Sequence, residues 1–206
     1  GRCVRLEPAD PARHAADLHT AWAEDADGRG WTYLPYGPFA TEREVADWMV
    51  RTCLGEEPLF FAVVDGSGRA AGLASYLRIV PQAGTVEIGH LHFAPRLSGT
   101  AAATEALALM MGHVFALGYR RCEWKCDALN APSRRAAARL DFTCEGTHRQ
   151  ATHYKGRNRD TAWYALLDHE WPEAKAALDA WLAPGNFDAA GRQKRRLAEI
   201  RDALRR

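Results

Sequence analysis

Long apolar runs are missing from this 206-residue chain, and so is any sizeable net charge. No stretch reaches the ~18 consecutive apolar residues that would suggest a membrane span. Lys and Arg number 27 against 26 Asp and Glu, a formal net charge of +1. Bulk charge therefore gives no reason to expect DNA, RNA or an anionic membrane as partner. The basic tail, 192–206, does not change that expectation. Cysteine is sparse: Cys3, Cys53, Cys122, Cys126 and Cys144, an odd number at irregular spacing, which argues against a disulfide framework. Cys122 and Cys126 lack a second pair at zinc spacing and read as buried thiols on one strand face with Trp124. No His, Cys, Asp or Glu cluster has metal-ligand spacing. Internal repeats and low-complexity segments are absent. The opening residues Gly1-Arg2-Cys3-Val4-Arg5 carry no secretory h-region, and a reducing cytoplasm is the expected location.

What is present is ordinary for a globular domain, 47% hydrophobic and 26% charged residues, enough for one full core and barely for two. Ala15, Leu18 and Trp22 give Pro8–Glu24 a helical spacing. Asp25–Ala40 reads as a loop rich in Gly, Pro and aromatic rings. Thr41-Glu42-Arg43-Glu44 is a capping box, so a second helix should begin there and stop near Gly55. Leu59–Asp65 and Arg69–Val80 form an antiparallel hairpin around Asp65-Gly66-Ser67-Gly68. Thr85–Phe93 is a strand, and Thr104–Leu117 a helix burying Leu107, Met110, Met111 and Val114, closed by Gly118. Arg120–Cys126 alternates as a strand, and Asn130–Leu140 is a helix that tolerates Pro132 in its first turn. Phe142–Glu145, Arg149–Tyr154 and Thr161–Leu167 are closing strands. The order predicts an α/β domain with a mixed sheet over residues 1–172. Residues 173–206 form a helical tail that is not an independent domain and that offers a surface for pairing two subunits.

The most informative stretch is Glu87–Pro95 followed by Arg96-Leu97-Ser98-Gly99-Thr100-Ala101. A strand runs into a small-residue turn and then a long helix. Such a turn aims free backbone N–H groups and the positive end of a helix at one spot, which suits a pyrophosphate. Gly99 and Ala101 let phosphates approach the backbone. Thr100 could add a hydroxyl and Arg96 a charge. Taken alone, Gly99 need only permit a tight turn.

With two further segments, this stretch resembles the GNAT family of acetyl-CoA-dependent N-acetyltransferases, in particular its Rim-type, ribosomal-protein N-terminal acetyltransferase branch. The turn matches the family's Arg/Gln-x-x-Gly-x-Gly/Ala. Asn130-Ala131-Pro132-Ser133 matches the branch's Asn-x-x-Ser at a helix start. Tyr154-Lys155-Gly156-Arg157 through Asp160, Trp163–Leu167 and Glu170-Trp171 complete the match, which spans Cys3 to Trp171. Two positions depart from the pattern. The turn ends in Ala101 rather than Gly, and Leu140-Asp141-Phe142 stands where the family has Leu-Gly-Phe, so some stability should be lost at Asp141.

The resemblance implies a mostly antiparallel mixed sheet flanked by helices, with acetyl-CoA as co-substrate and no metal. The phosphates would lie on Arg96, Ser98, Gly99, Thr100 and Ala101. The pantetheine arm would lie along the strand near Leu91 and Phe93, held by Asn130. Ser133 would hydrogen-bond the departing thiolate. The reaction implied is direct acetyl transfer to a primary amine, of a protein N-terminus or a small molecule; the alternative is a module that binds acetyl-CoA without transferring it. A base must take the amine proton. Strict period two puts Glu87 with Gly89, Leu91 and Phe93, and His90 with Ile88 and His92. Glu87 and His90 are equal candidates, with His148 and Tyr154 behind them. The loop carrying Trp31, Tyr33 and Tyr36 should sit over the acceptor, with some of its rings lining the pocket and some packing the first two helices against the sheet. Glu24, Asp25 and Asp27 would favour a polyamine or antibiotic, whereas Lys155, Arg157 and Arg159 form a basic loop that either faces the acceptor or, as the safer reading, is a solvated turn.

Overall fold

The computed structural model describes residues 1–205; Arg206, the last residue of the basic tail, lies outside the described residues. In chain order the elements are β1 (Arg5–Pro8), α1 (Pro11–Trp22), α2 (Glu42–Thr52), β2 (Leu59–Val64), β3 (Ala70–Val80), β4 (Thr85–Phe93), α3 (Ala101–Ala116), β5 (Arg121–Asp127), α4 (Ala131–Arg139), β6 (Thr143–Tyr154), β7 (Arg157–Leu167), α5 (Trp171–Leu182) and α6 (Leu197–Leu204). The seven strands form one sheet in the order β1-β2-β3-β4-β5-β7-β6. Every pairing is antiparallel except β4 with β5. No helix among the described residues is long and apolar enough to cross a membrane.

Helices cover both faces. On one, Leu18, Trp22, Val45 and Met49 of α1 and α2 pack on Phe60, Ala62 and Leu73. On the other, Met110, Met111 and Val114 of α3 pack on Tyr76, Val86 and Ile88. Ala174, Leu178 and Trp181 of α5 and Ile200 of α6 extend that second cluster, so the tail shares the core of the sheet. Burying each such large side chain stabilises by about 1.5–3 kcal/mol.

Local chemistry explains the boundaries. Asp10 caps α1 by accepting from Ala12 N at 2.9 Å, so the helix begins after Pro8, and Arg5–Pro8 pairs with β2 instead. Four residues are too few to show periodicity, which hides β1 in the sequence. Thr41 accepts from Glu44 N at 3.2 Å, while the Glu44 carboxylate reaches one residue further back, to Ala40 N. Thr100 caps α3, which therefore starts at Ala101, ahead of the expected Thr104. The two strands expected at Phe142–Glu145 and Arg149–Tyr154 are one edge strand, β6, interrupted by a register shift between His148 and Thr152.

Asp141 follows α4 with φ +74°, the left-handed conformation that a glycine there would adopt freely. Its carboxylate accepts from Arg201 at 2.6 Å and from Arg205 at 3.3 Å, both on or beside α6. The aspartate thus exchanges backbone strain for an anchor on the tail. Asp141→Ala keeps the strain and loses the anchor, and is expected to cost about 2 kcal/mol. Asp141→Gly relieves about 1 kcal/mol of that. Urea unfolding of both variants checks the order; a glycine variant no more stable than the alanine one contradicts it.

Candidate active site

β4 and β5 share only three rungs, Thr85–Arg121, Val86–Cys122 and Glu87–Glu123. Beyond them the strands part, β5 following β7 over its whole length and β4 following β3. Two clefts open into the gap. One, of about 940 Å³, is lined by Leu91, Phe93, the turn 98–101, Asn130 and Ser133. The other, of about 680 Å³, is lined by Glu87, His90, Lys125, Asp127 and Trp163. They share Leu91, Trp124, Asn130 and Ser133, together with Tyr33 and Gly30. A molecule in one can therefore meet a molecule in the other at the seam.

The first cleft presents donors. Gly99 turns with φ +74° in open space. The amides of Gly99, Ala101 and Ala102 have no partner among the described residues, because Leu97, Ser98 and Thr100 use theirs within the turn. Ala103 N is capped by Thr100. Ser98 lines the cleft. The Thr100 hydroxyl donates to Leu97 O at 2.6 Å, so it serves the cap rather than a ligand. Arg96 does not face the cleft: its guanidinium pairs with Glu24 and, at 3.5 Å, with Asp65, tying the turn to the end of α1. Ala94 N donates to Ala71 O, and period two then turns the Leu91 and Phe93 amides away from β3 toward the open edge. These free amides suit the phosphates and amide-rich arm of coenzyme A.

Arg139 joins this cleft, and the sequence reading missed it. Its guanidinium lies 4.6 Å over the Trp181 ring and bonds Thr104 at 3.1 Å, with no carboxylate partner among the described residues. Ser133, Ala136 and Arg139 follow one another at spacing three, so the helical face already marked by Ser133 could have revealed it. Trp181, Phe187 and Gln193 bring the C-terminal segment to the same cleft.

At the seam, Asn130 caps α4 by accepting from Ser133 N at 3.1 Å. The Ser133 hydroxyl accepts from Trp124 Nε1 at 3.0 Å, which leaves its own proton to donate. Burial pushes the neighbouring Cys126 thiol up, so it stays protonated.

The expected division of β4 into faces is corrected by a bulge. Leu73 pairs with His92 and Ser75 with Gly89, so two steps on β3 match three on β4. The extra residue, His90, has φ +50°. The inserted residue reverses the alternation. Glu87, His90 and His92 consequently share a face, opposite Ile88, Leu91 and Phe93. Glu87 Oε2 takes Arg78 at 2.5 Å and Lys125 at 3.0 Å, whereas its Oε1 has no partner among the described residues. His90 Nδ1 meets the Tyr36 hydroxyl at 3.1 Å. Burial, aided by Arg78, lowers His90 to about 4, and burial lowers His92 to about 4.

The aromatic loop divides its work. Trp31 is core, packed on Trp22, Phe39 and His92, and lines neither cleft. Tyr36 stacks on His90 and packs at a tilt against Trp48, and burial pushes its hydroxyl up. Tyr33 alone of the three lines the clefts. His148 stacks on Trp163 at 4.5 Å. The Tyr154 hydroxyl donates to Asp127, and burial together with that carboxylate raises it to about 12, which removes it as a base. Burial opposes the charge of Asp127, but the Leu129 amide, Tyr154 and Arg157 outweigh it and hold the carboxyl low. Glu24, Asp25 and Asp27 do not form an acidic pocket: they bind Arg96, Gly30 N and Arg29. Nor is the basic turn simply solvated, since Lys155 donates to Trp31 O, Arg157 pairs with Asp127, and Arg159 lines the second cleft.

The sequence profile described as the acetyltransferase (GNAT) domain matches residues 4–143. The chain belongs to the GNAT acetyltransferase family. A GCN5-related N-acetyltransferase from Brucella melitensis is 48% identical, covers 98% of this chain and 92% of its own, and superposes with a TM-score of 0.95. A probable GNAT acetyltransferase from Chromobacterium violaceum is 43% identical over 84% of this chain and 86% of its own, TM-score 0.78. The acetyltransferase from Salmonella typhimurium that modifies the N-terminal serine of ribosomal protein L7/L12 is 22% identical over 81% of this chain and 96% of its own, TM-score 0.66, and shares the fold. Among proteins of curated function none matches. The GNAT acetyltransferase chemistry is acetyl transfer, with acetyl-CoA dependence implied by the family.

The buried imidazoles set a pH dependence. Both bind a proton more weakly folded than unfolded, so stability should fall as pH drops from about 6.5 toward 4, by up to about 1.4 kcal/mol per pH unit for each imidazole. The carboxylates held low act in the same direction only below about pH 4.5. His92→Leu should flatten the slope between pH 6.5 and 4.5 by about one proton. Urea midpoints measured across that range check this; a wild-type protein equally stable at pH 7 and 5 contradicts it.

Proposed function

We propose that this chain is an acetyl-CoA-dependent N-acetyltransferase that passes the acetyl group directly to a primary amine, of a protein N-terminus or a small molecule, inside a ternary complex. The observation that carries the reading is the seam: two clefts on a parted strand pair, sharing Leu91, Trp124, Asn130 and Ser133. Acetyl-CoA in the larger cleft supplies an activated thioester. The free amides at Gly99, Ala101 and Ala102 and the Arg139 guanidinium fit its phosphates. The Leu91 and Phe93 amides fit its arm.

The acceptor amine occupies the smaller cleft. Its nitrogen lone pair forms the new N–C bond, and the C–S bond breaks with its electron pair staying on sulfur. The Leu91 amide donates to the carbonyl oxygen as negative charge builds there. Ser133 donates its hydroxyl proton toward the leaving sulfur, its lone pair being held by Trp124. The amine proton leaves through water toward Glu87 Oε1, the carboxylate oxygen in this cleft that no described group engages; both oxygens of Asp127 are taken. His90 is neutral but too weak a base to keep that proton, and serves as a hydrogen-bonding wall. Cys126 stays a thiol, which supports direct transfer over an acyl-enzyme. The Asn130–Ser133 motif supports kinship with the Rim-type branch.

The test is turnover of acetyl-CoA over a panel of amines, with free thiol and acetylated product both measured. Intersecting initial-velocity patterns are expected. Ser133→Ala should lower kcat about 10- to 100-fold, and Glu87→Gln by about 100-fold or more, with coenzyme A affinity changed less than about threefold. Tight coenzyme A binding with no product from any amine contradicts the reading and leaves a binding module.

A further inference from the structure

The acceptor cleft has more cationic than anionic groups. Arg78, Lys125, Arg149 and Arg159 line it, against Glu87 and Asp127. The charge of both acids is already balanced by protein cations, Glu87 through its Oε2 by Arg78 and Lys125, and Asp127 by Arg157 from just outside the lining. Arg149 and Arg159 have no carboxylate within 4 Å among the described residues. Arg159 Nε is buried without a hydrogen-bond partner among the described residues, and its guanidinium lies 5.8 Å from the centre of the Tyr154 ring. Trp163, on the same cleft wall, also has a buried indole N–H with no partner among the described residues.

The unneutralised guanidiniums of Arg149 and Arg159 on the cleft lining favour an anionic ligand. What satisfies them must bring acceptor oxygens. A polyamine or aminoglycoside would bring more donors and more positive charge, against two unneutralised guanidiniums.

The geometry points to an acceptor amine that itself carries a carboxylate, seated on Arg159 with Arg149 at the cleft mouth. This rests on the transferase reading and deepens it. The carboxylate can come from a free amino acid or from an acidic first residue of a peptide. Either would be oriented by a guanidinium while its amine reaches the seam.

The experiment compares kcat/KM for matched acceptors with acetyl-CoA saturating. One arm sets the common amino acids against their amides. A second sets amidated tripeptides beginning with Asp or Glu against those beginning with Asn or Gln. Spermidine is the cationic control. The best carboxylate-bearing amine is expected to exceed its neutral counterpart about 10- to 100-fold, and spermidine by more. The arm that shows the preference identifies the source. Arg159→Gln should lower the carboxylate-to-amide ratio about 10- to 100-fold through KM, with the melting temperature and coenzyme A affinity as fold controls. Arg149→Gln, at an exposed position, should lower it several-fold and serves if the first variant misfolds. Amides or spermidine used as well as carboxylates, or a ratio indifferent to both variants, overturns this proposal and leaves the transferase intact. Coenzyme A binding with no amine acetylated overturns both.

Discussion

After three parallel rungs, β4 and β5 lose each other, and the rest of the site depends on that parting. Each strand keeps one partner and gives up the other. A strand edge inside a domain carries N–H and C=O groups that need partners. Here the freed edge of β4 borders the seam, where Leu91 lines both clefts. A ligand rich in amide groups can complete the ladder there, as a further strand would. The same parting lets Trp124 reach Ser133, and it sets the capped start of α4 opposite the free amides of the turn before α3.

The bulge at His90 is the second determinant. A regular β4 would put Glu87 and His90 on opposite faces of the sheet. One extra residue brings both to the smaller cleft and leaves Leu91 and Phe93 packed toward α3. Charge is then distributed along that wall in a chain of contacts. Arg78 and Lys125 hold Glu87, Lys125 also meets Glu123 at 2.7 Å, and Arg121 joins Glu123 to Glu145. Lys125 lies 3.6 Å over the Trp163 ring and is almost fully buried. A buried ammonium fixed by two carboxylates and a ring gives the cleft a rigid floor more than it gives the fold stability.

The sequence discloses what short-range chemistry dictates. The Thr41 capping box, the Gly99 turn, the helix start at Asn130 and the apolar face of α3 are all local signals, and each appears in the structure. So does the mostly antiparallel mixed sheet. What long-range contacts decide is hidden. The side chain of Arg96 looks like a phosphate ligand until Glu24 and Asp65 are seen beside it. Asp25 and Asp27 look like a pocket until their backbone and arginine partners are known. Alternation along Glu87–Phe93 is sound arithmetic that a single inserted residue defeats. The strain expected at Asp141 is real, but its anchor on α6, 60 residues onward, has no trace in the local sequence.

Amide hydrogen exchange of the full chain with and without saturating coenzyme A tests the parted strand edge most directly. Slowed exchange is expected at Leu91 and Phe93 and at Gly99, Ala101 and Ala102, with little change in α1 and α2. Unchanged exchange at those five amides while coenzyme A is bound, or protection confined to other segments, would contradict the assignment of the donor to the gap between β4 and β5.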